Sequence, residues 1–423
     1  MKLKCLTLML SLGLPFCALA QVGHNGQVSI NFLNGKKVMS GHDSVAAGGG
    51  VLNNRSNGSV LGVDSVPNWS SSFYYPGYDS FGGVQYAWQY TMIGKTPFTE
   101  KADGGVDTMT TKVGAPVVPV NLDLRNADGT PAYVNGQRLF VEAAPYVPPT
   151  LLSPLFQNTT YDSSGVPTQF NDAVQRAEFY NAAKPDWHTL LAPRPTHSLT
   201  MTLLGGSYLF ALNSDGTCCA FVLIDENAFV NALFPSSPTD TTTILGAAEN
   251  TGLITTKDMS SFLFPNAYLY LNGDPNQCCV LGFHTYDVEP GSAANGWKEK
   301  RYVMDYASWI SPGLFGPAFQ DVTGLSHELT ESFNDPFVNN ATPWWLAPNG
   351  NCQNNLETGD VIEGLPNATY PITLNGYTYH PQNEALLQYF AGVTPSNAID
   401  QAYSYPDETV LTAPSQSLPP GCQ

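Results

Sequence analysis

Positive charge is scarce in this sequence. Lys and Arg number 17 against 35 Asp and Glu, and charged residues make up only 12% of 423, where roughly 25% is ordinary. The formal net charge is −18. Such a surface repels nucleic acid and anionic membranes and favours cationic partners or metal ions. With so few charges, solubility must come from Asn, Ser, Thr, Tyr and Gly, which suits an exported, loop-rich protein.

Long apolar runs are also lacking. Beyond the N-terminal stretch, none is apolar enough to span a membrane. "MKLKCLTLMLSLGLPFCALA" carries Lys2 and Lys4, then an apolar run, then Ala18-Leu19-Ala20. It reads as a signal peptide over 1–20, so a secreted or extracellular protein is expected, periplasmic if retained by a Gram-negative host. Bulky Phe16 before Cys17 argues against a lipid anchor. Cleavage would remove two lysines and no acid, giving 15 − 35 = −20.

There is no Cys-x-x-Cys pair, which argues against a structural zinc site. Cleavage would leave Cys218, Cys219, Cys278, Cys279, Cys352 and Cys422, an even set expected to form disulfides. Adjacent cysteines are expected to bridge to other strands, because a bond between neighbours is strained.

Residues 21–145 are rich in Gly, Ser, Asn and Val and read as a β-rich or irregular N-terminal region. "YVPPTLLSP" (146–154) reads as a linker. Residues 146–395 mix strands with helices, and 396–423 form a Pro- and Ser-rich tail. Phe170, Ala173, Val174, Ala177 and Tyr180 recur at helical spacing over 168–184, with Pro185 as the stop. Strand-like runs follow at 197–204, 218–225, 266–273, 278–288 and 301–309, with a helix expected near 241–252. The fold class is α+β: a mixed sheet followed by a helix that bears the candidate site.

The last thing missing is a second histidine. "LSHELTESFNDP" (325–336) holds His-Glu-x-x-Glu, where zinc peptidases carry His-Glu-x-x-His. On a helix ending near Asn334, His327 and Glu331 lie about 40° apart, one turn from each other. Val322, Leu325, Leu329 and Phe333 form the opposite, apolar face. Two ligands at i and i+4 can grip one ion from one helical face. Glu328, next to the first ligand, is placed to act as general base on a metal-activated water. Zn²⁺ is the expected ion. A glutamate ligand would weaken its Lewis acidity and could shift preference towards Mn²⁺ or Ca²⁺.

"NLETGDVIEG" (355–364) offers the third ligand. Either Glu357 binds metal and Asp360 orients His327 through its other ring nitrogen, or the two roles are reversed. His380 and Tyr379 are candidates to stabilise an oxyanion. His284, in "LGFHTYD", ends a strand-like run and could line the same cleft. His24, His42, His188 and His197 have no suggestive neighbours. The plain alternative is a surface His–Glu pair on an amphipathic helix, worth a few tenths of a kcal/mol.

Taken together, Gly282-Phe283-His284, the His327–Glu331 motif, Asp335-Pro336, Trp344-Trp345 and Glu357/Asp360 resemble the Exordium, or phosphate-induced, secreted proteins of plants and their bacterial relatives. The likeness runs in pieces over about 165–390. Cys352 departs from it, preceding the Glu-x-x-Asp segment that the family's cysteine follows. The resemblance implies an extracellular, growth-related role. The residues themselves imply a zincin-like hydrolase, most plausibly a peptidase, acting as a monomer on an extracellular peptide or protein, with strand 301–309 available to pair with it. The rival is a non-catalytic binder of cell-wall glycan or a receptor, its Tyr and Trp residues suited to sugar stacking, with a structural or vestigial metal site.

Overall fold

A computed structural model describes residues 62–75, 86–98, 109–161, 165–212, 219–316 and 319–415. The signal-peptide reading, residues 21–61, His24, His42, Cys218 and Cys422 lie outside these. The architecture is mixed α/β around a mainly parallel sheet. Seven of its nine strands are β1 (Val63–Asp64), β2 (Thr110–Arg125), β3 (His188–Pro195), β4 (Leu199–Leu204), β5 (Met259–Pro265), β6 (Gly282–Glu289) and β7 (Glu299–Phe315).

β7 and β5 run parallel, with Met259 opposite Val303 and Pro265 opposite Trp309. β5 pairs parallel with β2 through Ser261–Val117. β2 then takes β3 along its first half and β4 along its second, both parallel. β6 runs the other way, as do the short strands Phe140–Val141 and Phe319–Asp321. β6 pairs antiparallel with β7, setting Gly282 opposite Ala307 and His284 opposite Asp305. β5 is buried along its whole length, as a parallel strand covered on both faces should be.

β2 belongs to the stretch read as an N-terminal region, yet it lies in the middle of this sheet. Strand pairing therefore crosses the expected division at 145/146. The supposed linker contains a helix, Val147–Leu151, with Val147 and Thr150 buried. Pro148 is tolerated because the first turn needs no intrahelical N–H there. The start of the tail is packed too: Ser404–Tyr405 pairs with Glu384–Ala385, and Leu411 is buried.

Helix α1 spans Phe170–Glu178 and stops before the expected end. Its apolar residues through Ala177 are buried, whereas Tyr180 lies past the helix and is exposed. Helix α2, Thr323–Asn334, carries the motif and packs on β7 and β6. Leu325, Leu329 and Phe333 enter the core as the periodicity requires, each worth roughly 1.5–3 kcal/mol. The opposite face does not meet water: every residue of α2 is buried. That removes the reading of a surface His–Glu pair. Asn171 Nδ2 donates to Thr330 Oγ1 (2.9 Å) and Asn334 Nδ2 to Glu178 Oε1 (3.1 Å), tying α1 to α2.

Two further expectations change. Strand 301–309 cannot recruit a peptide, because β6 and β5 already hold its two edges. Cys278 and Cys279 bond to each other. This departs from the expected bridges to other strands; the peptide between them is cis and the Cα atoms are 3.0 Å apart. Cys219 and Cys352 are also disulfide-bonded.

Candidate metal centre

Three segments converge at the polar face of α2. The helix supplies His327, Glu328 and Glu331. β6 supplies His284. The loop after strand Cys352–Asn355 supplies Glu357 and Asp360. All six residues are buried, none more than 5% exposed. Glycine makes this convergence possible at two points. A Cβ on Gly282 would lie 2.6 Å from Glu328 Oε1 and 2.8 Å from the Tyr306 carbonyl. A Cβ on Gly359 would lie 2.4 Å from His327 Nδ1.

The distances are those of a ligand set. Glu331 Oε2 lies 3.2 Å from both His284 Nδ1 and His327 Nε2. His327 Nε2 is 3.6 Å from Asp360 Oδ1. His284 Nδ1 is 3.7 Å from Glu328 Oε2 and 3.8 Å from Glu357 Oε2. Ligands about 2.1 Å from a tetrahedral zinc stand about 3.4 Å from one another. Candidate groups are His284/Glu331/Glu357 and His327/Glu328/Glu331.

Neighbouring polar groups orient the cluster. Gly359 N donates to Glu331 Oε1 (3.0 Å). Gln382 Oε1 lies 3.3 Å from His327 Nδ1, while Gln382 Nε2 donates to the Gly359 carbonyl (2.7 Å). Gln353 Nε2 donates to Asp360 Oδ2 and Asn355 Nδ2 to Glu357 Oε1. These bonds hold the outer atoms of the carboxylates. Two atoms that face the cluster, His327 Nε2 and Asp360 Oδ1, have no hydrogen-bond partner, and neither have Glu328 Oε1 and His284 Nε2, whose companion atoms Oε2 and Nδ1 face it. Buried polar atoms are seldom left so, and a cation is the partner their chemistry fits.

The electrostatics point the same way. Burial pushes the Glu328 carboxyl up, partly offset by His327. Burial, then the charge of Glu331, drives Glu357 and Asp360 well above the usual carboxylate range. Burial also pushes Glu331 up, but His327 and His284 outweigh it and hold it below that range. Burial lowers both imidazoles, yet the carboxylates around them raise each well above the ordinary value. Without a metal, this cluster must hold protons to offset its negative charge. A divalent ion would displace them.

His380 and Tyr379 are not brought in. His380 Nδ1 lies 2.7 Å from Asp321 Oδ2, its N–H donates to Asp321 Oδ1 (2.9 Å), and its carbonyl accepts from Thr323 Oγ1 (2.6 Å). It fastens the start of α2. Tyr379 Oη donates to the Pro149 carbonyl (2.9 Å). Both side chains are committed to structural bonds.

Several residues of the centre escape a reading of the sequence. His284, expected only to line the cleft, stands among the ligand atoms. Asp305, opposite it on β7, is fully buried and accepts from Ser332 Oγ (2.6 Å); burial raises its carboxyl well above the usual range. Gln353 and Gln382 belong to no motif. For His284 and Asp305 a signal exists, since each places a titratable group that needs a buried partner inside a strand-like run, His284 after Phe283 and Asp305 between Met304 and Tyr306.

No protein-family model, curated protein or solved structure matches the chain. Among the described residues, no helix is long and apolar enough to cross a membrane.

Proposed function

We propose that this chain is an exported, zincin-like metal-dependent hydrolase, most plausibly a peptidase, of the Exordium-like type. The observation that carries the reading is the buried group of two imidazoles and three carboxylates at ligand spacing, with Glu328 beside it. Zn²⁺ is the natural occupant, held by Glu331 with His327, His284 and the Glu357/Asp360 pair. When bound, such an ion supplies Lewis acidity and lowers the pKa of water towards about 7.

The chain's own residues do the rest. Glu328 has one oxygen without a hydrogen-bond partner and a carboxyl raised by burial, which suits a proton acceptor. Gln382 and Gly359 keep His327 and Glu331 in place. β6 borders the centre, and among the described residues no strand pairs with its outer edge. An extended peptide would dock there rather than on β7.

The depth of the centre favours a second reading. With every ligand buried, an ion would clamp α2, β6 and the 355–360 loop together without catalysis, in a protein that binds wall glycan or another partner. Glu328→Gln separates the two. In an enzyme it keeps the fold and metal content and lowers hydrolysis of a mixed peptide library by about 10²–10⁴-fold. Metal-loaded wild type that cleaves nothing in that library would establish the clamp instead.

A further inference from the structure

We propose that the cluster is a two-metal centre bridged by Glu331, an inference that rests on the metal-site reading above. The ligand atoms do not form one ring around one point. They divide into His284/Glu331/Glu357 on the β6 side and His327/Glu331 on the α2 side, where Glu328 also lies, and only Glu331 belongs to both groups. Asp360 joins the second group, 3.6 Å from His327. Each side therefore has one imidazole and its own carboxylates.

Glu331 is held in the bridging pose. Its Oε1 accepts the Gly359 N–H. This leaves Oε2 facing both imidazoles at the same 3.2 Å. An oxygen about 2 Å from each of two ions sets them roughly 3.5–4 Å apart, the spacing of two-metal hydrolytic sites.

Charge balance agrees. Glu328, Glu331, Glu357 and Asp360 together carry four negative charges when ionised. One divalent cation leaves half of that uncompensated in a closed, low-dielectric interior. Two neutralise it. An independent sign of a cation is that His327 Nε2 and Asp360 Oδ1, 3.6 Å apart within the cluster, have no hydrogen-bond partner. Carboxylate and imidazole donors without thiolate suit Zn²⁺ or Mn²⁺.

The test is titration of the chelator-treated full-length protein with Mn²⁺, read by calorimetry and by electron paramagnetic resonance. Two ions per chain with a spin-coupled signal is the expected result. His284→Ala should then bind one ion and lose the coupling, and Glu331→Gln should lose the coupling and weaken both sites at least 10-fold. One uncoupled ion per chain in wild type would overturn the two-metal proposal and leave a single-metal site standing. No ion at all would overturn both. The wild-type stoichiometry decides the matter even if a variant fails to fold.

Discussion

Gly359→Ala is a one-carbon perturbation whose effect follows directly from the geometry. The added Cβ would stand 2.4 Å from Nδ1, 2.6 Å from Cε1 and 2.7 Å from Cγ of His327. Ordinary carbon contacts are about 3.5–4.0 Å, so the ring and the loop must separate by about 1 Å. Neither can retreat freely. Gly359 is held by its N–H to Glu331 and its carbonyl to Gln382, and Gln382 also meets His327. The ring sits on a helix buried on all sides. Overpacking of this kind costs about 1–3 kcal/mol. Displacing the support of a metal-binding histidine typically lowers affinity about 10–100-fold. Urea unfolding of the metal-free proteins gives the first quantity, and titration with Zn²⁺ the second. A variant with wild-type stability and wild-type affinity would refute the placement of Gly359 against His327, and with it the proposed metal centre.

Other outcomes follow from neighbouring features. Glu178→Gln should flatten the pH dependence of stability. Burial pushes this carboxyl up to about 8, above its unfolded value, so its stabilising contribution is full below about 4.5 and is lost as pH rises through about 8. The rise from 4.5 to about 8 is worth on the order of 5 kcal/mol, and urea midpoints at pH 5 and pH 9 would reveal it; a wild type equally stable at both would contradict it. Leu329→Ala, at a fully buried position on the core face of α2, should cost about 2–5 kcal/mol while leaving metal stoichiometry unchanged in the folded fraction. A chelator should lower the melting temperature of wild type, and the drop should shrink at low pH, where protons occupy the same ligands; a pH-independent drop would argue against these residues as ligands.

The metal-bearing helix was legible because its apolar residues keep a helical period and Asn334-Asp335-Pro336 marks its end. The run 278–288 announced β6 and its histidine, although not that Leu281 divides it into two strands. Period alone could not tell that the polar face of α2 is buried as deeply as the apolar one. That depends on β6 and the 355–360 loop, which are distant in sequence and are brought in by close contacts at Gly282 and Gly359. The Gly-rich composition before residue 145 hid β2, whose run of valines reads as a strand only once its parallel partners are known. His380 and Tyr379 looked chemical because they stand beside each other after the acidic segment. Their partners, Asp321 and Pro149, lie far away along the chain, and no local pattern reveals them.

The measurement that bears most directly on the central claim is elemental analysis of the purified wild type beside Glu331→Ala, both exchanged into metal-free buffer after loading with zinc. Glu331 Oε2 is the atom both imidazoles approach. Retained zinc in wild type and its loss in a folded Glu331→Ala is the predicted result. Equal zinc in the two proteins, or none in either, would contradict it.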